Sequence, residues 1–414
     1  MIKFEKFTLK NNLRVLFHKD PTTPMVVVNT LFDVGARDES EEKTGFAHLF
    51  EHLMFGGSVN IPDFDAPLQR AGGESNAFTS NDITNYYDVL PAQNLETALW
   101  LESDRMLSLA FTPKSLEVQR SVVIEEFKQR YLNQPYGDVW LELRPLAYKK
   151  HPYKWATIGK EIKHIEEATM EDVKKFFSAH YNPSNAILCV AGNFELAEIK
   201  PLVEKWYGDI PAGVKKMRAL PQEEPQHEFR EKTLERTVPA NAFYYAFKMP
   251  ARMHDDFYIA DLISDALGRD KSSKLYTSLK KEQQLASEIG AYVTASFDQG
   301  LLIISGKLNN NVTFEQFDTA LWKELSRFQA EELDLEEMNR LMIKLRTSKE
   351  FQDQGLLNRA MNLCYFELLG DANIINEEAG HYQKITPSNI TRVASEILNK
   401  TNCTLLKVKA IKND

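Results

Sequence analysis

Thr169-Met170-Glu171-Asp172-Val173, followed by Asn182, Asn185 and Leu188, returns as Thr386-Pro387-Ser388-Asn389-Ile390, followed by Asn399, Asn402 and Leu405, at a constant offset of 217 residues. In both places a capped helix leads into a strand. Nearer the front, Ala36-Arg37 matches Ala251-Arg252 at an offset of 215, and an acidic turn and an amphipathic helix follow each pair. Two matches in almost constant register predict a duplicated domain, with chance convergence of helix caps as the alternative. A chain of 414 residues has room for two or three domains.

Residues 13–18, 26–32, 85–90 and 186–191 are rich in Val, Leu, Ile and Phe and read as strands. Helical periodicity dominates residues 44–54, 95–110 and 113–132. No regular βαβ rhythm is present, so the expected class is α+β: two homologous domains, each an antiparallel sheet layered with helices on one side. Pro211, Pro221, Pro225 and Pro239, with Gln, Glu and Lys between them, give residues 208–239 the composition of an extended linker. The expected division is 1–210, a linker at 211–238, and 239–414.

With 50 Lys plus Arg against 59 Asp plus Glu, the net charge is −9, which disfavours a nucleic-acid partner. Cys189, Cys364 and Cys403 are too few and too scattered for a disulfide framework. The first residues lack a signal-peptide pattern, and no apolar run approaches the roughly 18 residues that span a bilayer. A cytoplasmic protein without a membrane partner is the expectation, periplasmic only if a leader has been removed.

The chemistry concentrates in His48-Leu49-Phe50-Glu51-His52. At about 100° per residue, His52 lies roughly 40° from His48 and Glu51 roughly 60° to the other side, so one helix face carries all three. Two imidazoles at this spacing suit Zn²⁺, which in a catalytic site takes a third protein ligand and keeps a position open. Glu51 is placed to take a proton from water there. Phe46, Leu49, Phe50, Leu53 and Phe55 surround the group, and burying three ionisable side chains without a metal or partners costs several kcal/mol.

The order HxxEH, rather than HExxH, is the inverzincin pattern. Together with Asn12-Leu13-Arg14-Val15, Val34-Gly35-Ala36-Arg37-Asp38-Glu39, Thr44-Gly45-Phe46-Ala47, Gly72-Gly73-Glu74-Ser75-Asn76-Ala77-Phe78-Thr79 and Tyr181-Asn182-Pro183-Ser184-Asn185, it makes the sequence resemble the pitrilysin/insulinase family of zinc peptidases, in particular its half-length, mitochondrial-processing-peptidase-like bacterial members. The resemblance implies a metalloendopeptidase acting on peptides or unfolded segments, with Glu51 as general base. It implies a third ligand in the stretch Gln119-Arg120-Ser121-Val122-Val123-Ile124-Glu125-Glu126, at Glu126, with Glu125 as the competing choice. Helical spacing puts Val122, Val123 and Glu126 on one face and Glu125 about 100° away.

Gln119 departs from the acidic residue that relatives carry seven positions before the ligand, where it would orient ligands from behind. By the same resemblance, the strand after Gly72-Gly73 receives substrate as an added strand, with Asn76 and Ala77 as contacts. The second half aligns Ile263, Ala266 and Leu267 with His48, Glu51 and His52, so it holds no metal. Lys280 and Ser287 stand where relatives present an arginine and a tyrosine. The expected partner is therefore a second chain, a homo- or heterodimer whose related subunit supplies Arg and Tyr. A non-catalytic structural or binding subunit is the alternative.

Overall fold

The computed structural model describes residues 1–215 and 217–411. Its apolar segments pair into two sheets. The first contains β1 (Glu5–Thr8), β2 (Arg14–Lys19), β3 (Met25–Phe32), β4 (Glu74–Thr79), β5 (Thr84–Pro91) and β6 (Ala186–Gly192), in the order β1-β2-β6-β3-β5-β4. The second contains β7 (Arg230–Arg236), β8 (Ala242–Met249), β9 (Ala286–Val293), β10 (Gly300–Leu308) and β11 (Cys403–Ala410), in the order β7-β11-β8-β10-β9. Without β1 the two orders are the same, so the α+β class and the pair of homologous sheets are present.

The duplication extends to single hydrogen bonds. Asn185 Nδ2 donates to Asp33 O (3.1 Å) and His180 O (2.9 Å), and Asn402 Nδ2 donates to Lys248 O and Ile397 O (both 2.9 Å). Helix Met170–His180 opens on a reciprocal box between Thr169 and Asp172, and helix Pro387–Ile397 on one between Thr386 and Asn389. Each asparagine ties the end of its helix to the strand beside it. That tie explains why these sparse residues recur.

Three expectations need correction. The sheets are mixed: β2 runs parallel to β6, and β7 parallel to β11, while the other pairs are antiparallel. Helices cover both faces rather than one, as the uninterrupted burial of β6 requires. In the second sheet, Phe243, Phe247, Leu302, Ile304 and Leu405 pack with helices Asp255–Gly268, Phe314–Ala330 and Pro387–Ile397. Ala246, Leu301, Ile303 and Leu406 on the opposite face meet Val139, Leu143 and Ala147 of helix Val139–Ala147.

The chain accordingly divides into units that exchange segments. Unit 1 comprises residues 1–128, 155–220 and 349–377, and unit 2 comprises 129–154, 221–348 and 378–414. Helix Leu356–Leu369 belongs to the first because Cys364 Sγ packs against Asn29 O and Ile187 O of β3 and β6. The expected linker also contains β7, whose Arg-Glu-Lys-Thr-Leu-Glu-Arg sequence has linker-like composition. Its charges are cross-strand partners: Glu231 pairs with Lys407 (2.7 Å) and Glu235 with Lys409 (2.8 Å), while Leu234 is buried. The three cysteines are buried and unbridged. Among the described residues, no helix is long and apolar enough to cross a membrane.

Candidate metal centre

Helix Phe46–Leu53 owes its position to its apolar side. Phe46, Ala47, Leu49, Phe50 and Leu53 are buried, and the Phe50 ring stacks on Phe176 (5.0 Å between centroids) and Tyr181 (5.1 Å). His48, Glu51 and His52 are left on the half-buried side. Tyr86 of β5 supports the helix from the sheet, its hydroxyl donating to Phe50 O at 3.3 Å.

Helix Pro113–Phe127 supplies the third group. Thr112 Oγ1 accepts from Ser115 N (3.0 Å), and Pro113, without an N–H to leave unsatisfied, occupies the first turn. Leu116, Val123 and Phe127 face inward. Glu126 joins that side and Glu125 is exposed. The side-chain burial corrects one step of the helical argument: Val123 is buried but Val122 is 44% exposed, so the inward face runs through Val123 and Glu126 without Val122.

Glu126 Oε2 lies 3.3 Å from His52 Nε2 and 3.6 Å from His48 Nε2, and the three donor atoms lie within 4.8 Å of one another. The imidazole planes are nearly perpendicular, at 89°. Two atoms bonded at 2.0–2.2 Å to a tetrahedral ion stand roughly 3.4 Å apart, so both His–Glu separations match neighbouring ligands of one zinc. Two nitrogens and one oxygen also make a donor set that zinc accepts, with a fourth position left over. Among the described residues, this is the one trio of His, Cys, Asp or Glu with such convergence.

Burial pushes the Glu51 carboxyl above the ordinary glutamate range; Thr79 and His52 oppose the shift, and Glu126 adds to it. Thr79 ends β4, the outermost strand of its sheet, which among the described residues pairs only with β5. Asn76 is exposed on that strand and Ala77 half-buried, opposite Tyr87 and Tyr86. Gln119 is half-buried on the helix of Glu126. In unit 2, Ile263, Ala266 and Leu267 are buried in the apolar core. There Lys280 Nζ sits 5.1 Å from the Tyr276 ring centroid, and Ser287 Oγ donates to Lys307 O at 3.3 Å. Glu39, to which the sequence pattern gives no role, sets its buried carboxyl group against the first amides of the His-Glu-His helix, and burial pushes that carboxyl up to about 8. Its only sequence signal was its place at the end of Val34-Gly35-Ala36-Arg37-Asp38-Glu39.

Residues 14–160 match the family model described as Insulinase (Peptidase family M16), and residues 167–345 match that described as Peptidase M16 inactive domain. The zinc protease PqqE of Helicobacter pylori is 29% identical over 413 residues, covering 98% of this chain and 93% of the relative. The mitochondrial-processing peptidase subunit beta of Saccharomyces cerevisiae is 24% identical over 362 residues, covering 82% of this chain and 76% of its own. The crystal structure of a protease from Helicobacter pylori superposes with a TM-score of 0.92 at 28% identity, covering 99% of this chain and 100% of that one. Matched along both of its halves and aligned nearly end to end with the Helicobacter pylori zinc protease, the chain belongs to the insulinase (M16) peptidase family.

Proposed function

We propose that the protein is the zinc-bearing subunit of an endopeptidase that hydrolyses peptides or unfolded segments. The observation that carries this reading is the convergence of His48, His52 and Glu126 beside a carboxyl one residue from a ligand. His48, His52 and Glu126 would hold the ion, which supplies Lewis acidity when bound. Glu51 takes the proton of the attacking water and delivers it to the leaving amine, a role its partly buried carboxyl suits. Asn76 and Ala77 offer backbone and side chain along the outer edge of β4, where an extended peptide can add as a strand whatever its sequence. Gln119, seven residues before Glu126 on the same helix, can hydrogen-bond there but adds no charge.

A partner chain enters the proposal through Lys280 and Ser287, neither of which offers a guanidinium fork or a phenol. The yeast relative is itself named as a subunit. A cytoplasmic location is part of the proposal, and among the described residues no helix is long and apolar enough to cross a membrane. Glu51→Gln tests the catalytic role: the zinc-loaded variant keeps its metal and loses peptide hydrolysis by at least about 100-fold. Unchanged hydrolysis would refute it and favour a structural subunit. Assay of the chain alone and with a co-purifying homologue tests the partner, and full activity alone would remove it.

A further inference from the structure

The helix that carries His48, Glu51 and His52 starts on a residue unable to cap it. Gly45 adopts φ 86°, and a Cβ there would lie 2.7 Å from Ile158 O and 2.8 Å from Ile165 Cδ1. A left-handed glycine is therefore required at this point. The first amides of any helix lack partners within it; here Leu49 N is the first to find one, donating to Gly45 O at 2.9 Å. Two amides at this start find acceptors on one side chain: Glu39 Oε2 accepts from Gly45 N at 2.9 Å, and Glu39 Oε1 from Ala47 N at 2.8 Å.

We propose that Glu39 is a positioning residue of the metal centre: by holding both amides it fixes where the ligand helix begins, and so where His48, Glu51 and His52 point. The inference rests on the reading of the trio as a metal site. An α-helix turns about 100° and rises about 1.5 Å per residue. A start displaced by one residue would swing the His48 imidazole away from Glu126 Oε2, now 3.6 Å distant. Glu39 is itself held firmly and is 8% exposed. It follows the turn Ala36–Asp38, which is pinned by the buried Arg37–Asp82 pair (3.0 Å), by Arg37 N donating to Asn81 O (2.9 Å) and by Trp155 Nε1 donating to Ala36 O (2.9 Å).

The second unit supports the assignment. Arg252, the counterpart of Arg37, donates its N–H to Ser296 O (3.0 Å), as Arg37 does to Asn81 O. At the same offset of 215, Glu39 falls on His254, whose Nδ1 accepts from Asp256 N at 3.1 Å and caps helix Asp255–Gly268 directly. Both copies use this position to begin the helix. In the first copy the residue acts across the intervening segment 40–44.

The test compares metal-free and metal-titrated wild-type, Glu39→Ala and Glu39→Gln chains. In Glu39→Ala, hydrogen exchange of the amides of residues 45–49 accelerates in the metal-free protein, the zinc Kd rises about tenfold or more, and the visible absorption of the Co²⁺-loaded protein changes shape. Glu39→Gln, which keeps one acceptor oxygen, falls between Ala and wild type, and it carries the test alone if the alanine variant does not fold. Wild-type zinc affinity and Co²⁺ absorption in both variants would overturn the role of Glu39, whether or not exchange accelerates. A wild-type chain that takes up no zinc would instead refute the metal reading.

Discussion

Helix Phe46–Leu53 and helix Asp255–Gly268 follow equivalent turns in two sheets of matching strand order, and they have taken opposite courses. The second is fourteen residues long, capped by its own His254, and inserts Ile263, Ala266 and Leu267 into an apolar core. The first is eight residues long, relies on Glu39 at its start, and turns His48, Glu51 and His52 toward Glu126. The comparison shows what a ligand-bearing helix gives up. It loses length, self-capping and part of its buried face, and regains order from outside through an upstream carboxyl group, stacked aromatic rings and, in the proposed centre, a bound ion.

If that is correct, metal removal separates the units. Chelation should destabilise unit 1 by about 4 kcal/mol relative to protein held at a free zinc concentration 1,000-fold above Kd, and leave unit 2 unchanged. Segment-resolved hydrogen exchange with and without chelator measures both, and equal loosening of the two units would break the comparison. The converse perturbation is Leu267→Ala, which should cost about 3 kcal/mol of unit 2 stability in denaturant melts without changing zinc content.

A smaller effect separates a structural charge from a chemical one. Burial alone would raise the Glu223 carboxyl, but the Lys248 ammonium and the N–H groups of His151, Lys150 and Lys149 hold it down at about 2. The folded value lies below the unfolded one, so its stabilisation is present above about pH 4.5 and disappears as the pH falls toward 2. Glu223→Gln should cost about 2 kcal/mol at pH 7, with the gap to wild type closing across that window in pH-dependent melts. The smallest and most symmetric test is Thr169→Ala beside Thr386→Ala. Each removes one of the duplicated capping boxes and should cost about 1 kcal/mol in its own unit.

Much of this organisation was legible in the sequence. The capped helices and the asparagines at an offset of 217 announced the duplication because each makes a local hydrogen bond that no other residue type replaces so well. The ligand helix was legible because its spacing alone puts three polar groups on one face. What stayed hidden depended on distant pairing. Strand β7 looked like linker because its glutamates match lysines some 175 residues later. Helices Val139–Ala147 and Leu356–Leu369 cover sheets remote in sequence, so no local pattern could reveal helices on both faces. Glu39 was quoted as part of a motif but could not be given a role, because the amides it holds lie six and eight residues away.

The most direct measurement is zinc content per chain after loading and removal of free metal. The account predicts one zinc in wild type, Glu51→Gln and Glu125→Gln, and loss of tightly bound zinc in His52→Ala and Glu126→Ala. Retention of a full equivalent by Glu126→Ala, or its loss in Glu125→Gln, would contradict the proposed centre.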